Sequence, residues 1–238
     1  MISLKGVTKT FKRTTVLNGI NLEFAAGDRV ALIGSNGAGK TTLIRCLLGE
    51  YQFEGSISLN GENPRENRKA VLERIGFVPQ LPPPLKMPVQ QLLNFSAGVC
   101  GCSTDEMKAV AAQLGLDLEP LYKRPFEKLS GGQKQKLLIS IALGRPTSLL
   151  IMDEPAANLD PEARHTLFSL LEKKQEESAM LISSHRLDEV ASLVNRVIEL
   201  DRGKVVLDDR VDDSIDLSSL LNCNLTTTRI EPAFSKAI

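Results

Sequence analysis

Gly34 to Thr41 (GSNGAGKT) bring together the residue types that can hold a polyphosphate. Glycines let backbone N–H groups turn inward onto phosphate oxygens, and a cation and a hydroxyl close the loop. The run satisfies G-x-x-x-x-G-K-[ST] in full. RVALI reads as a strand before it and KTTLIRCLL as a helix after it, so a helix N-terminus adds positive potential at the same place. Lys40 then reaches the β- and γ-phosphates, and the Thr41 hydroxyl ligates Mg²⁺. The competing reading is a glycine-rich turn followed by an accidental Lys-Thr. Chance matches are rare at ordinary glycine content, and the strand–loop–helix context makes them rarer.

SLLIMDEP is the second stretch with chemistry. Side chains alternate along a strand, so two adjacent acids at the end of a buried one are awkward unless both face a ligand crevice at the sheet's C-terminal edge. Asp153 there can hold Mg²⁺ through water, leaving Glu154 to polarise a water for in-line attack on a γ-phosphate. The bland alternative is a solvated acidic pair opening the turn into DPEARH. LSGGQ, residues 129–133, is the third stretch. Serine and two glycines before a helix form an anion-binding nest, although alone they are more often a plain cap.

Elements must position these groups. Ile2 to Val7 alternate, and VLNGINLEF, RVALI and GSISLNG read as strands, with Leu43, Leu47 and Leu48 on one face of the helix that Gly49 stops. ENPRENRKAVLERIG reads as a polar helix leading into the strand GFVPQ. LPPPLKMP is an extended connector, because proline fixes φ and removes donors. Val89 to about Leu121 is helical, giving a lobe inserted into a larger α/β body. KQKLLISIALG is a helix and SLLIMDE a buried strand. PEARHTLFSLLEKKQEE is an amphipathic helix, AMLISS a strand, LDEVASLV a helix, and RVIEL and KVVLD strands. Strands alternating with helices give a mainly parallel sheet covered on both faces. From Asp209 onward the periodicity is weak.

Lys plus Arg and Asp plus Glu both number 29 in the 238 residues, so no net charge favours nucleic acid. Charged residues make up 24% and apolar ones 42%, ordinary for a soluble globular chain. No apolar run approaches the ~20 residues that span a bilayer, and MISLKGVTKTFKR lacks signal-peptide order. A cytoplasmic-type chain follows, with any membrane role borrowed from a partner. Cys46, Cys100, Cys102 and Cys223 are scattered and read as bland thiols.

With these motifs in this order, residues 1–207 resemble the nucleotide-binding subunit of ATP-binding cassette (ABC) transporters. The resemblance implies a P-loop NTPase core, an N-terminal antiparallel β subdomain and an inserted α-helical signature subdomain at about 81–145. Residues 208–238 are then a short extension. Gly34, Ser35, Asn36, Gly37, Ala38, Gly39, Lys40, Thr41 and Thr42 would hold ATP, with Phe11 stacking on adenine and Val16 beside it. Gln80 of GFVPQ would sense Mg²⁺ and the attacking water. Glu154 would be the catalytic glutamate, His185 of SSH would contact the γ-phosphate, and Asp160 would stand in the D-loop. Ser130, Gly131, Gly132 and Gln133 would close on ATP held by a second subunit in a head-to-tail homodimer.

The departures are small: KQK at 134–136 replaces an arginine-containing run, AAN at 156–158 replaces a serine or threonine, and Phe11 replaces a tyrosine. Plain readings stand beside these. Phe11 can be ordinary core, His165 a surface residue, and LPPPL only a connector. The resemblance implies an ATPase driving a separate membrane permease from the cytoplasmic face, exporter-like in its compact lobe. A soluble ABC ATPase acting on a macromolecular machine is the alternative, disfavoured by the single cassette, short lobe and zero net charge. A binding module without turnover is disfavoured by Glu154 and His185.

Overall fold

A computed structural model describes residues 1–174, 178–184 and 190–211. Alternation along β1 (Ile2–Phe11) turns Ile2 and Leu4 inward, and an irregularity in the pairing between Leu4 and Val7 brings Val7 to the same buried face. β2 (Thr14–Phe24) pairs antiparallel with one edge of β1, and β4 (Glu54–Leu59) with the other. This three-stranded sheet stacks its apolar face on the larger sheet. Ile20, Leu22, Phe24 and Ile57 share one core with Leu32, Ile151 and Leu181.

The larger sheet has the order β5-β6-β7-β3-β8-β9. Its strands are β3 (Arg29–Ile33), β5 (Ile75–Val78), β6 (Leu149–Asp153), β7 (Ala179–Ser183), β8 (Arg196–Asp201) and β9 (Lys204–Arg210). All pairs are parallel except β8–β9. Every residue of β6 and β7 is buried, which explains why both read as continuous apolar runs. The expected mainly parallel sheet with an antiparallel N-terminal subdomain is therefore what the chain forms.

Helices cover the faces. α1 (Lys40–Leu47) buries Leu43, Ile44 and Leu47 in the core that the two sheets share. α6 (Pro161–Lys173) packs Ala163, Leu167 and Leu171 against the opposite face, together with Ile139, Ala142 and Leu143 of α5 (Gly131–Leu143). A third core gathers Leu92 and Leu93 of α3 (Val89–Cys100), Met107 and Ala111 of α4 (Asp105–Gln113), and Phe126. Leu137 of α5 joins this third core, so α5 links the helical lobe to the sheet.

Two elements differ from the sequence reading. The polar helix expected over ENPRENRKAVLERIG is only α2 (Arg68–Leu72). Asn63 accounts for the late start: its side chain donates to Glu66 and accepts from Arg65 N–H, which favours a turn around Pro64. β9 pairs with β8 through Arg210, carrying the sheet past residue 207. The connector 81–88 carries no helix, as its prolines dictate. Residues 187–189, the first three of the helix expected over LDEVASLV, lie outside the described residues. Among the described residues no helix is long and apolar enough to cross a membrane.

Candidate active site

The parallel strands end at one edge, and the loops leaving that edge build the site. β3 delivers the chain to Gly34, whose φ of 141° is open to glycine alone; a Cβ there would lie 2.2 Å from Leu200 O of β8. Gly39, at φ 112°, caps α1. The hairpin between β8 and β9 braces this loop: Gly203 N–H donates to Ala38 O at 2.9 Å, and Asn18 N–H donates to Gly203 O at 2.8 Å.

Lys40 is only 8% exposed, and its Nζ donates to Gly34 O at 2.6 Å and Ser35 O at 3.3 Å. Burial pushes its pKa below the ordinary lysine value, while the Glu154 and Asp153 carboxylates pull it back up. Thr41 Oγ1 donates to Asp153 Oδ2 at 3.2 Å, and Ser183 Oγ donates to Asp153 Oδ1. Asp153 is thus held on both oxygens at the end of β6. Glu154 follows at φ 54°, an uncommon conformation outside glycine, which lets the second acid share the crevice.

A depression of about 300 Å³ is lined by residues 35–42, Val16, Gln80, Asp153 and Glu154. The structure therefore brings together the loop, the strand-end acids and the glutamine that follows β5. Gly34 stands behind the lining, against β8. Phe11 lies at the β1–β2 hairpin, 37% exposed and outside that lining. Its ring meets Tyr51 edge-on with centroids 5.2 Å apart, and Lys9 Nζ sits 4.5 Å from its centroid. His185 falls outside the described residues.

LSGGQ occupies another surface. Ser130 caps α5: its Oγ accepts from Gln133 N–H, and the Gln133 side chain accepts from Ser130 N–H at 3.0 Å. Gly131 is exposed in the first turn. Asp160 caps α6, accepting from Ala163 N–H at 2.8 Å, and pairs with Lys136 Nζ at 2.8 Å. The Lys136 ammonium, then the Ala163 N–H, hold the Asp160 carboxyl below the usual carboxylate range. Ser130, Gly132, Gln133 and Asp160 line a depression that shares no residue with the one at the phosphate loop.

Several contributors escaped the sequence reading. Ser183 had a signal, a hydroxyl ending the apolar run AMLIS, but its pairing with Asp153 depends on strand register. Tyr51 and Gly203 are brought in by packing, with no motif to mark them. The donors at the crevice, a hydroxyl and a carboxylate in contact with an amide nearby, are the hard oxygen ligands that suit Mg²⁺.

A family model described as ABC transporter matches residues 17–157. The lantibiotic transport ATP-binding protein of Streptococcus pyogenes is 34% identical over 236 residues, covering 93% of this chain and 96% of that protein. The Nod factor export ATP-binding protein I of Cupriavidus pinatubonensis is 32% identical over 231 residues, covering 94% of this chain and 70% of that protein. A solved ATP-binding subunit of an ABC transporter superposes with a TM-score of 0.83 at 26% identity, covering 93% of this chain and 98% of that one.

Proposed function

Because the chain belongs to the ABC transporter family, as an ATP-binding subunit and ATPase, we propose that it hydrolyses ATP at the Lys40–Glu154 crevice to power a separate membrane permease. The observation that carries this reading is the contact of Thr41 with Asp153, with Lys40 and Glu154 lining the same crevice. Residues 34–42 wrap the phosphates with backbone N–H groups, and Lys40 leaves its carbonyl partners for the β- and γ-phosphates. Thr41, Asp153 and Gln80 would hold Mg²⁺, which supplies charge neutralisation on phosphate oxygens when bound. Glu154 takes a proton from the attacking water as its oxygen bonds to the γ-phosphorus and the bond to the β–γ bridging oxygen breaks, leaving ADP and phosphate. His185 contacts the γ-phosphate, and Phe11 with Val16 receives the adenine.

The signature residues Ser130, Gly131, Gly132 and Gln133, with Asp160, serve ATP bound to a second copy. Their separation from the phosphate loop within one chain supports this arrangement. ATP favours the closed dimer, hydrolysis reopens it, and the difference in ATP affinity between the two states is the work delivered. The lobe at about 81–145 is an inserted subdomain facing the permease at the cytoplasmic side of the membrane. Export is the favoured direction, supported by the Nod factor export relative.

The test is a pull-down of tagged Glu154→Gln protein with ATP and Mg²⁺ from gently solubilised native membranes. A stoichiometric polytopic membrane protein is expected, alongside an ATPase rate far below wild type. Only soluble partners would move the reading to a macromolecular machine, and near-normal turnover would remove Glu154 from the base role.

A further inference from the structure

We propose that Gln135 is a positioning residue for Glu154, an inference that rests on Glu154 being the carboxylate that receives the proton. Gln135 lies in the second turn of α5, is 0% exposed, and donates from Nε2 to Pro155 O at 3.1 Å. Pro155 follows Glu154 directly and is itself buried. Glu154 holds its left-handed φ of 54° inside a turn fixed at three points. Its N–H donates to Ser183 O at 3.1 Å, its carbonyl accepts from Ala157 N–H at 3.3 Å, and Gln135 takes the carbonyl between. Without that donor the buried Pro155 residue would lose the side-chain hydrogen bond that holds its carbonyl. The turn would then rotate to rehydrate it, swinging the Glu154 side chain with it.

The chemistry of the amide argues for this role over simple packing. Turned the other way, its oxygen would face the Pro155 oxygen, so the donor orientation is set by its partner. That leaves Oε1 buried with no hydrogen-bond partner among the described residues. A methionine of similar volume would avoid this cost, so the amide is retained for what Nε2 holds. α5 touches the same segment twice more. Lys136 pairs with Asp160, and a Cβ on Gly132 would come within 3.2 Å of Asn158 O. The helix that begins with the signature serine is thus tied to the turn that aims the catalytic carboxylate.

Gln135→Met and Gln135→Glu test this by steady-state ATPase kinetics and thermal unfolding. For Gln135→Met we expect kcat to fall about tenfold, as small misplacement of a reacting group does, with KM for ATP within about twofold. Its Tm should stay close to wild type, because removing the unpaired Oε1 offsets leaving the Pro155 carbonyl without its donor. Gln135→Glu should recover turnover as pH is lowered, because only the protonated carboxyl can donate to Pro155 O. In a Glu154→Gln background, Gln135→Met should cause no further loss. A wild-type kcat for Gln135→Met, or an equal fold loss in both backgrounds, would overturn the positioning role while leaving the base assignment intact. Normal turnover by Glu154→Gln alone would overturn the base assignment and this inference with it.

Discussion

Thr41 and Asp153 touch across 112 residues of sequence, hydroxyl to carboxylate at 3.2 Å, where the start of α1 meets the end of β6. Because Ser183 holds the other Asp153 oxygen, the pair is presented rigidly to the crevice. A preorganised hydroxyl–carboxylate pair of this kind favours a hard divalent cation without first having to assemble.

Asp153→Asn should therefore separate metal-dependent from metal-independent binding. ATPase activity should fall by about a hundredfold, the scale of losing one preorganised electrostatic group. ATP affinity in EDTA should stay within about twofold of wild type, while the gain on adding Mg²⁺ disappears. Calorimetric titration with and without the cation checks this, and a retained Mg²⁺ gain would take the ligand role from Asp153.

The Cys46 thiol is buried in α1, and that burial, only partly opposed by Lys9, pushes its pKa from 9.0 to about 11. A thiol that stays protonated longer when folded contributes stability that is complete below the unfolded value and lost as pH rises through the folded one. Stability should fall between pH 9 and 11 in wild type, and the decline should be shallower in Cys46→Ala. Urea midpoints across that range supply the comparison; equal slopes would mean that the thiol does not titrate differently on folding.

Asp160 caps α6 and pairs with Lys136, but the pair is half-exposed, so the cap should dominate. Asp160→Ala should lower stability, as loss of an N-cap does, and Asp160→Asn should recover most of that loss. Since folding lowers this carboxyl's pKa below 3.8, the ionic part is present above that value and fades as pH falls through the folded one. Denaturation of both variants near neutral and at pH 3 measures the two parts. A larger loss in Asp160→Asn than in Asp160→Ala would reverse the ranking.

What could be read in advance follows from how each feature is encoded. GSNGAGKT and MDE announce themselves because loop and strand end are contiguous, and their residue types have few other uses. β6 and β7 were legible because a strand buried on both faces must be apolar throughout. The Ser183–Asp153 and Gln135–Pro155 bonds were not legible, because a serine ending a strand and a glutamine in a helix are commonplace until register and packing bring their partners near. The polar helix is shorter than its pattern predicts for a local reason: Asn63 offers its backbone a turn that competes with the first helical turns.

The division of phosphate loop and signature between two surfaces gives the sharpest test of assembly. Lys40→Ala removes the phosphate ligand but leaves the signature intact. Gly131→Asp leaves the loop intact and puts a carboxylate where a partner's γ-phosphate would approach. A Cβ at Gly131 meets nothing within 4 Å, and an acid suits the first turn of a helix, so this variant should fold. Neither variant alone should hydrolyse ATP. In an equal mixture half the dimers are mixed, and each mixed dimer pairs one sound loop with one sound signature. Activity should therefore return to about a quarter of wild type under two-fold, head-to-tail pairing. A mixture as inactive as its parts would rule out shared sites, because a chain that completes its own site cannot be rescued by a partner.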